Sequence, residues 1–245
     1  MIGMDRGRLG PRLSKRQLVI GAAGALLAPR AFAETAGHAE SAAISPEAAL
    51  KRLMDGNARY VAGRSTHPDA SVARRTEVAG GQHPFASIVA CADSRVGPEL
   101  IFDQGLGDLF VDRVAGNVVD DAVLGSIEYS VIHLGVPLVV VLGHDRCGAV
   151  EATVDALAGK ISAEDKASKI VTLAGLITPA VQAVPADAKD KVAAAVLINA
   201  RRQAKQILIG SSAVSERVRA GKVRVVSGVY GLADGKVTEV EPAAA

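Results

Sequence analysis

The chain has 245 residues, 49% of them apolar and 22% charged, with 25 Gly, 10 Pro and 2 Cys. This is the composition of an ordinary globular protein of one large or two small domains, and it excludes collagen-like, disulfide-scaffold and intrinsically disordered classes. With 3 Tyr, 4 Phe and no Trp the chain is a poor fit to a nucleic-acid module built on stacking platforms, and its formal charge of +2 is unevenly placed.

Residues 1–33 hold Arg6, Arg8, Arg12, Lys15, Arg16 and Arg30 against one acid, Asp5. An apolar run from Leu18 to Ala28 follows the basic stretch and ends at Pro29, ahead of Ala31-Phe32-Ala33. A basic start, a short apolar run and an A-x-A site read as an export signal cleaved after Ala33. The run is too short for a hydrocarbon core, which needs about 20 apolar residues, so no stable membrane span is expected. Ser14-Lys15-Arg16-Gln17-Leu18 resembles the twin-arginine export motif with Lys in place of its first Arg. The mature chain, 34–245, keeps 22 basic and 25 acidic residues, a formal charge of −3. The basicity therefore belongs to the leader. A periplasmic or secreted location follows, and no nucleic-acid partner is expected.

After a small, polar start, Ser45-Pro46-Glu47 opens a helix, with Ser as N-cap, Pro in the first turn and an acid at the positive helix end. Leu50, Leu53, Met54, Ala58 and Val61 carry its apolar stripe to about residue 62. A long connection, 63–84, leads to a short apolar run at Phe85–Ala90, read as a buried strand. Leu109–Val114 and Pro137–Leu142 are similar, and Asp120–Leu134 between them has a helical pattern. Strand, helix, strand in that order implies parallel pairing through right-handed crossovers. Further helices are expected at about 147–158 and 189–218, and helix again for the Ala-rich 159–188. A last apolar strand, Val223–Gly231, turns through Asp234-Gly235 into Lys236–Glu241. The expected class is a single α/β domain with a central, mostly parallel sheet flanked by helices.

The chemistry-bearing residues follow two of these strands. Cys91-Ala92-Asp93-Ser94-Arg95 comes directly after the first, and Gly143-His144-Asp145-Arg146-Cys147-Gly148 after Pro137–Leu142. Ligands in open α/β sheets collect outside the carboxyl ends of strands, so both clusters can meet although they are distant in sequence. Two Cys and one His make a three-ligand zinc set with an open fourth position, the pattern of a catalytic site. Two thiolates cancel the charge of the ion, so a bound water should ionise at higher pH than on a three-His site. Asp93 could take the fourth position or be held off it by a bidentate pair with Arg95. In an exported protein the two cysteines could instead form a disulfide, although a disulfide requires none of these neighbours.

Cys91-x-Asp93-Ser94-Arg95 with His144-x-x-Cys147-Gly148 resembles the β-class carbonic anhydrases. Asp55–Tyr60, Gly107–Val111, Arg113–Asn117 and Ser126–Tyr129 extend the resemblance over most of the mature chain. It implies reversible hydration of carbon dioxide to bicarbonate, with one zinc ion per subunit held by Cys91, His144 and Cys147. Attack would come from a zinc-bound hydroxide, with Asp93 paired to Arg95 and accepting its hydrogen bond, and Asp93 would ligate zinc only in a closed state. The resemblance further implies that Gln82, Phe110 and Tyr129 bind substrate, in a pocket at the interface of a homodimer or higher even oligomer. Ala115 stands where the plant type has Val, and without Trp the bicarbonate-inhibited site of the bacterial allosteric type cannot be built. His83 and His133 are candidates for proton relay. Hydrolysis of carbon disulfide, zinc or bicarbonate binding without catalysis, and a disulfide-stapled domain are the alternative readings.

Overall fold

The structure is a computed structural model and describes residues 44–240. The expected export signal, 1–33, lies outside the described residues. Five strands, β1 (Ala86–Ala90), β2 (Leu109–Arg113), β3 (Leu138–His144), β4 (Arg224–Tyr230) and β5 (Val237–Val240), form one sheet in the order β2-β1-β3-β4-β5. The first four are parallel and β5 returns antiparallel to β4. The mostly parallel α/β sheet expected from the sequence is therefore present, with β1 and β3 buried along their whole length. Such strands, covered on both faces, read as continuous apolar runs, which is why they were visible.

Alternation along the strands builds two cores. Ile88, Ala90, Leu138, Val140 and Val226 face α1 (Pro46–Val61) and α3 (Pro98–Ile101). Val89, Val139, Val141 and Val225 face α4 (Asp121–His133), α8 (Lys191–Gly210) and α9 (Ser212–Arg219). Each fully buried Val, Leu or Ile contributes about 1.5–3 kcal/mol. Capping follows the sequence signals: Ser45 Oγ accepts from the Ala48 N–H at 3.1 Å and Asp120 Oδ1 from the Val123 N–H at 2.9 Å. Asn57 ties α1 to the final hairpin, donating to the Gly235 carbonyl at 2.9 Å while its Oδ1 accepts from the Val237 N–H at 2.9 Å.

Two local expectations are corrected, over 63–84 and 189–218, and one short helix, α3, has no counterpart in the sequence pattern. The 63–84 connection contains a helix, α2 (Val72–Val78), capped by Ser71 but burying none of its residues, so it has no apolar stripe to detect. α3 is a single turn that carries no periodicity. The helix expected over 189–218 breaks at Ser211, whose hydroxyl oxygen accepts from the Val214 N–H at 3.1 Å and so starts α9. The Ala-rich 159–188 segment holds two helices, α6 (Ala163–Ala167) and α7 (Ile170–Gln182), which follow α5 (Gly148–Leu157). Among the described residues no helix is long and apolar enough to cross a membrane.

Candidate metal centre

Adjacent parallel strands bring the two motifs together. β1 and β3 pair through Ala90 and Leu142, so Cys91, just past the end of β1, and His144, the last residue of β3, emerge side by side. Cys147 follows three residues later as the N-cap of α5. The intervening loop is held to β4 by the Asp145 N–H donating to the Tyr230 carbonyl and the Leu232 N–H donating to Asp145 Oδ1, each at 3.0 Å.

The ligating atoms of Cys91, His144 and Cys147 all lie within 4.8 Å of one another, and all three residues are buried. The two sulfurs are 4.0 Å apart, about twice a disulfide bond length, and both cysteines are free. His144 Nδ1 faces the Asp145 carbonyl oxygen at 2.9 Å. A carbonyl only accepts, so Nδ1 carries a proton, and a metal at the cluster would be offered the lone pair of Nε2. Nε2 is buried without a hydrogen-bond partner. An orphaned imidazole nitrogen facing two thiols is a donor set that fits zinc.

The two thiols hold one proton between them. Cys91 is lowered to about 4, chiefly because the Cys147 thiol donates to it, with His144 and the Gly116 N–H adding to that effect against burial. Cys147 is pushed up, as the partner that keeps the proton and as a buried thiol. For His144 burial disfavours charge, but the Cys91 sulfur beside it turns the net shift upward. The cluster thus attracts positive charge.

Asp93 stands beside the cluster, its Oδ2 3.9 Å from His144 Nε2, with both oxygens engaged by Arg95. Nε donates to Oδ1 at 2.9 Å and Nη2 to Oδ2 at 2.7 Å, and the Arg95 backbone N–H adds a third bond at 2.9 Å. This fork holds the carboxyl well below the usual carboxylate range.

A family model described as carbonic anhydrase matches residues 86–237. Carbonic anhydrase 2 of Mycobacterium tuberculosis is 46% identical over 192 residues, 78% of this chain and 91% of the relative. The chain belongs to the β-class carbonic anhydrases. A second relative, the carbonic anhydrase of Mycolicibacterium smegmatis, is 43% identical over 193 residues, covering 79% of this chain and 92% of the relative. The solved structure of a Coccomyxa β-carbonic anhydrase in complex with acetazolamide matches with a TM-score of 0.58 at 26% identity, covering 82% of this chain and 87% of that one.

Not all the residues expected at a β-carbonic anhydrase site converge within the one chain. Phe110 pairs with Ser87 near the start of β1, four residues from Cys91, or about 13 Å along a strand. Its ring centroid lies 6.2 Å from that of Tyr129, which in turn lies 5.2 Å from His133. Gln82 and His83 are exposed and precede β1 at the same end of the sheet. These five residues sit at the entry end of the strands, whereas the Cys91–His144–Cys147 cluster sits at the exit end.

Two contributors escaped the sequence reading. Arg113, at the end of edge strand β2, donates from Nε to the Cys91 carbonyl at 3.1 Å and from Nη2 to the Asp93 carbonyl at 2.6 Å, fixing the loop that carries both. The Gly116 N–H donates to Cys91 Sγ at 3.3 Å. Both were visible only as parts of a family-like stretch, because neither residue type announces such a role on its own.

Proposed function

We propose that the chain catalyses the reversible hydration of carbon dioxide to bicarbonate and a proton, with one zinc ion per chain held by Cys91, His144 and Cys147. The observation that carries this reading is the buried Cys-His-Cys cluster with its unpartnered His144 Nε2, set beside an Asp93 that Arg95 holds away from it. When bound, zinc would supply a Lewis-acidic centre that makes a water molecule acidic enough to serve as a nucleophile, at a higher pH than a three-His site would. Asp93 stays ionised throughout the working pH range because Arg95 engages both its oxygens, so it acts only as an acceptor and orients a proton donor in the open fourth position. Released from Arg95, the same carboxylate lies close enough to the cluster to occupy that position. The Asp93–Arg95 pair is thereby a gate.

Gln82, Phe110 and Tyr129 supply substrate contacts to the site of a second copy, in a homodimer or a larger even assembly. This reading is supported by their shared location at the far end of the sheet and by the exposure of Tyr129, 46%, beside edge strand β2. Export to the periplasm or beyond is supported by the pattern of residues 1–33, and Glu34 would be the first residue of the processed chain.

The test is zinc content and carbon dioxide hydration against pH in wild type and Asp93→Asn. About one zinc per chain is expected, with hydration rising toward alkaline pH. Asp93→Asn should retain the metal and lose about 10–100-fold in rate, as when a ligand-shell partner is removed. A zinc-loaded wild type with no hydration would refute the reading.

A further inference from the structure

We propose that Asn199 and Gln203 of α8 are positioning residues for the metal centre, acting through Gly116. The inference rests on zinc binding at Cys91 as proposed above.

Gly116 adopts a left-handed conformation, φ 74° and ψ 16°, and Asn117 after it also has positive φ, 45°. Two consecutive left-handed residues form a turn that the surroundings must over-determine to persist. Only glycine fits at the first position. A Cβ there would lie 2.6 Å from Ile177 Cδ1 and 3.3 Å from Ala149 Cβ. The residue that offers its N–H to Cys91 Sγ is therefore the one with the least intrinsic stiffness. With no side chain to restrict it, its orientation has to be imposed by hydrogen bonds.

The amides of α8 impose it. Asn199 Nδ2 donates to the Gly116 carbonyl at 2.9 Å, and Gln203 Nε2 donates to Asn199 Oδ1 at 3.1 Å. Gln203 Oε1 accepts from the Val119 N–H at 2.8 Å, so the turn is gripped on both sides. The two amides are four residues apart and share one helix face, and they are 1% and 3% exposed. Buried amides of this size cost free energy unless they are used, and apolar residues would fill the same space. What the relay adds is a fixed Gly116, with its carbonyl tied to α8 and its N–H aimed at the thiolate. A donor on the Cys91 sulfur draws electron density from it, and so offsets part of the neutralisation that two thiolates impose on the ion.

The experiment uses the full chain loaded with zinc and follows metal transfer to excess chelator. Asn199→Ala should release zinc about tenfold faster than wild type, and Gln203→Met should move the same way by less. Ile207→Val, a buried change on the same helix toward the other core, controls for general loosening. In parallel, the unmutated chain loaded with spin-active cadmium should show scalar coupling between the metal and the Gly116 amide proton across the Cys91 sulfur, and variants that fold should weaken it. The proposal is overturned if the variants melt lower, as Ile207→Val does, yet release zinc within about twofold of wild type. Absence of coupling at Gly116 overturns it whether or not the variants fold. A wild type that holds no zinc defeats the proposed function as well, whereas a zinc-loaded wild type with unchanged variants defeats the relay alone.

Discussion

At the scale of residues, the site depends on which partner each polar atom has. Asp93 has Arg95 on both oxygens, and His144 has a carbonyl on Nδ1 and nothing on Nε2. Removing the guanidinium is therefore informative in a way that removing the carboxylate is not. Arg95→Ala leaves Asp93 free to turn toward the cluster, so hydration should fall about 10–100-fold while zinc is retained, in a metal-content and stopped-flow comparison. Normal hydration in Arg95→Ala would mean that the pair does not gate the site. The candidate ligands were legible in the sequence because each motif is local: Cys91, Asp93 and Arg95 span five residues, and His144 to Cys147 four. The Asn199–Gly116 bond joins positions 83 apart, and an Asn on a helix face carries no mark of what it will meet.

At the scale of elements, short helices and loops are held by buried polar pins. Asp103, 1% exposed and left-handed at φ 47°, accepts from Arg59 Nε at 2.6 Å, from the Thr66 N–H at 3.0 Å and from the His67 N–H at 2.8 Å. Burial raises its pKa, but these donors prevail and bring it down to about 2. A depressed carboxylate stabilises the fold above its unfolded pKa of about 3.9, and that contribution disappears as pH falls through about 2. Asp103→Asn should therefore lower stability by about 1–3 kcal/mol at pH ~7 in urea denaturation, with the gap from wild type closing between pH ~4 and ~2. A gap that persists at low pH would contradict this account. Close approach matters as well. A Cβ on Gly56 would fall 1.7 Å from the Phe102 carbonyl oxygen, so Gly56→Ala should cost about 3 kcal/mol or more by forcing α1 off α3, read as a lowered melting temperature. The long strands and helices were legible from apolar runs and stripes. α2 and α3 were not, since α2 buries none of its residues and α3 is a single turn, too short for its buried Pro98 and Ile101 to set a period.

At the scale of the whole molecule, the sheet exposes one edge at β2, and the helix beside it presents Tyr129 and Ile132 at 46% and 41% exposure. If a second copy covers this face and receives Gln82, Phe110 and Tyr129, then Ile132→Glu should produce a smaller particle in sedimentation. It should also lose hydration while keeping its zinc. A variant of unchanged size and activity would place the interface elsewhere. Net charge also belongs to this scale: the formal +2 combines a basic stretch, 1–33, with a formal −3 over 34–245, so it is no mark of nucleic-acid binding. The two cysteine sulfurs stand 4.0 Å apart beside the unpartnered His144 Nε2. The most direct measurement is a zinc titration of the metal-free chain followed by carbon dioxide hydration at each step. The account predicts activity that rises in proportion to bound zinc and levels off near one ion per chain. Hydration that is indifferent to zinc, or a fully loaded chain that does not hydrate carbon dioxide, would contradict it.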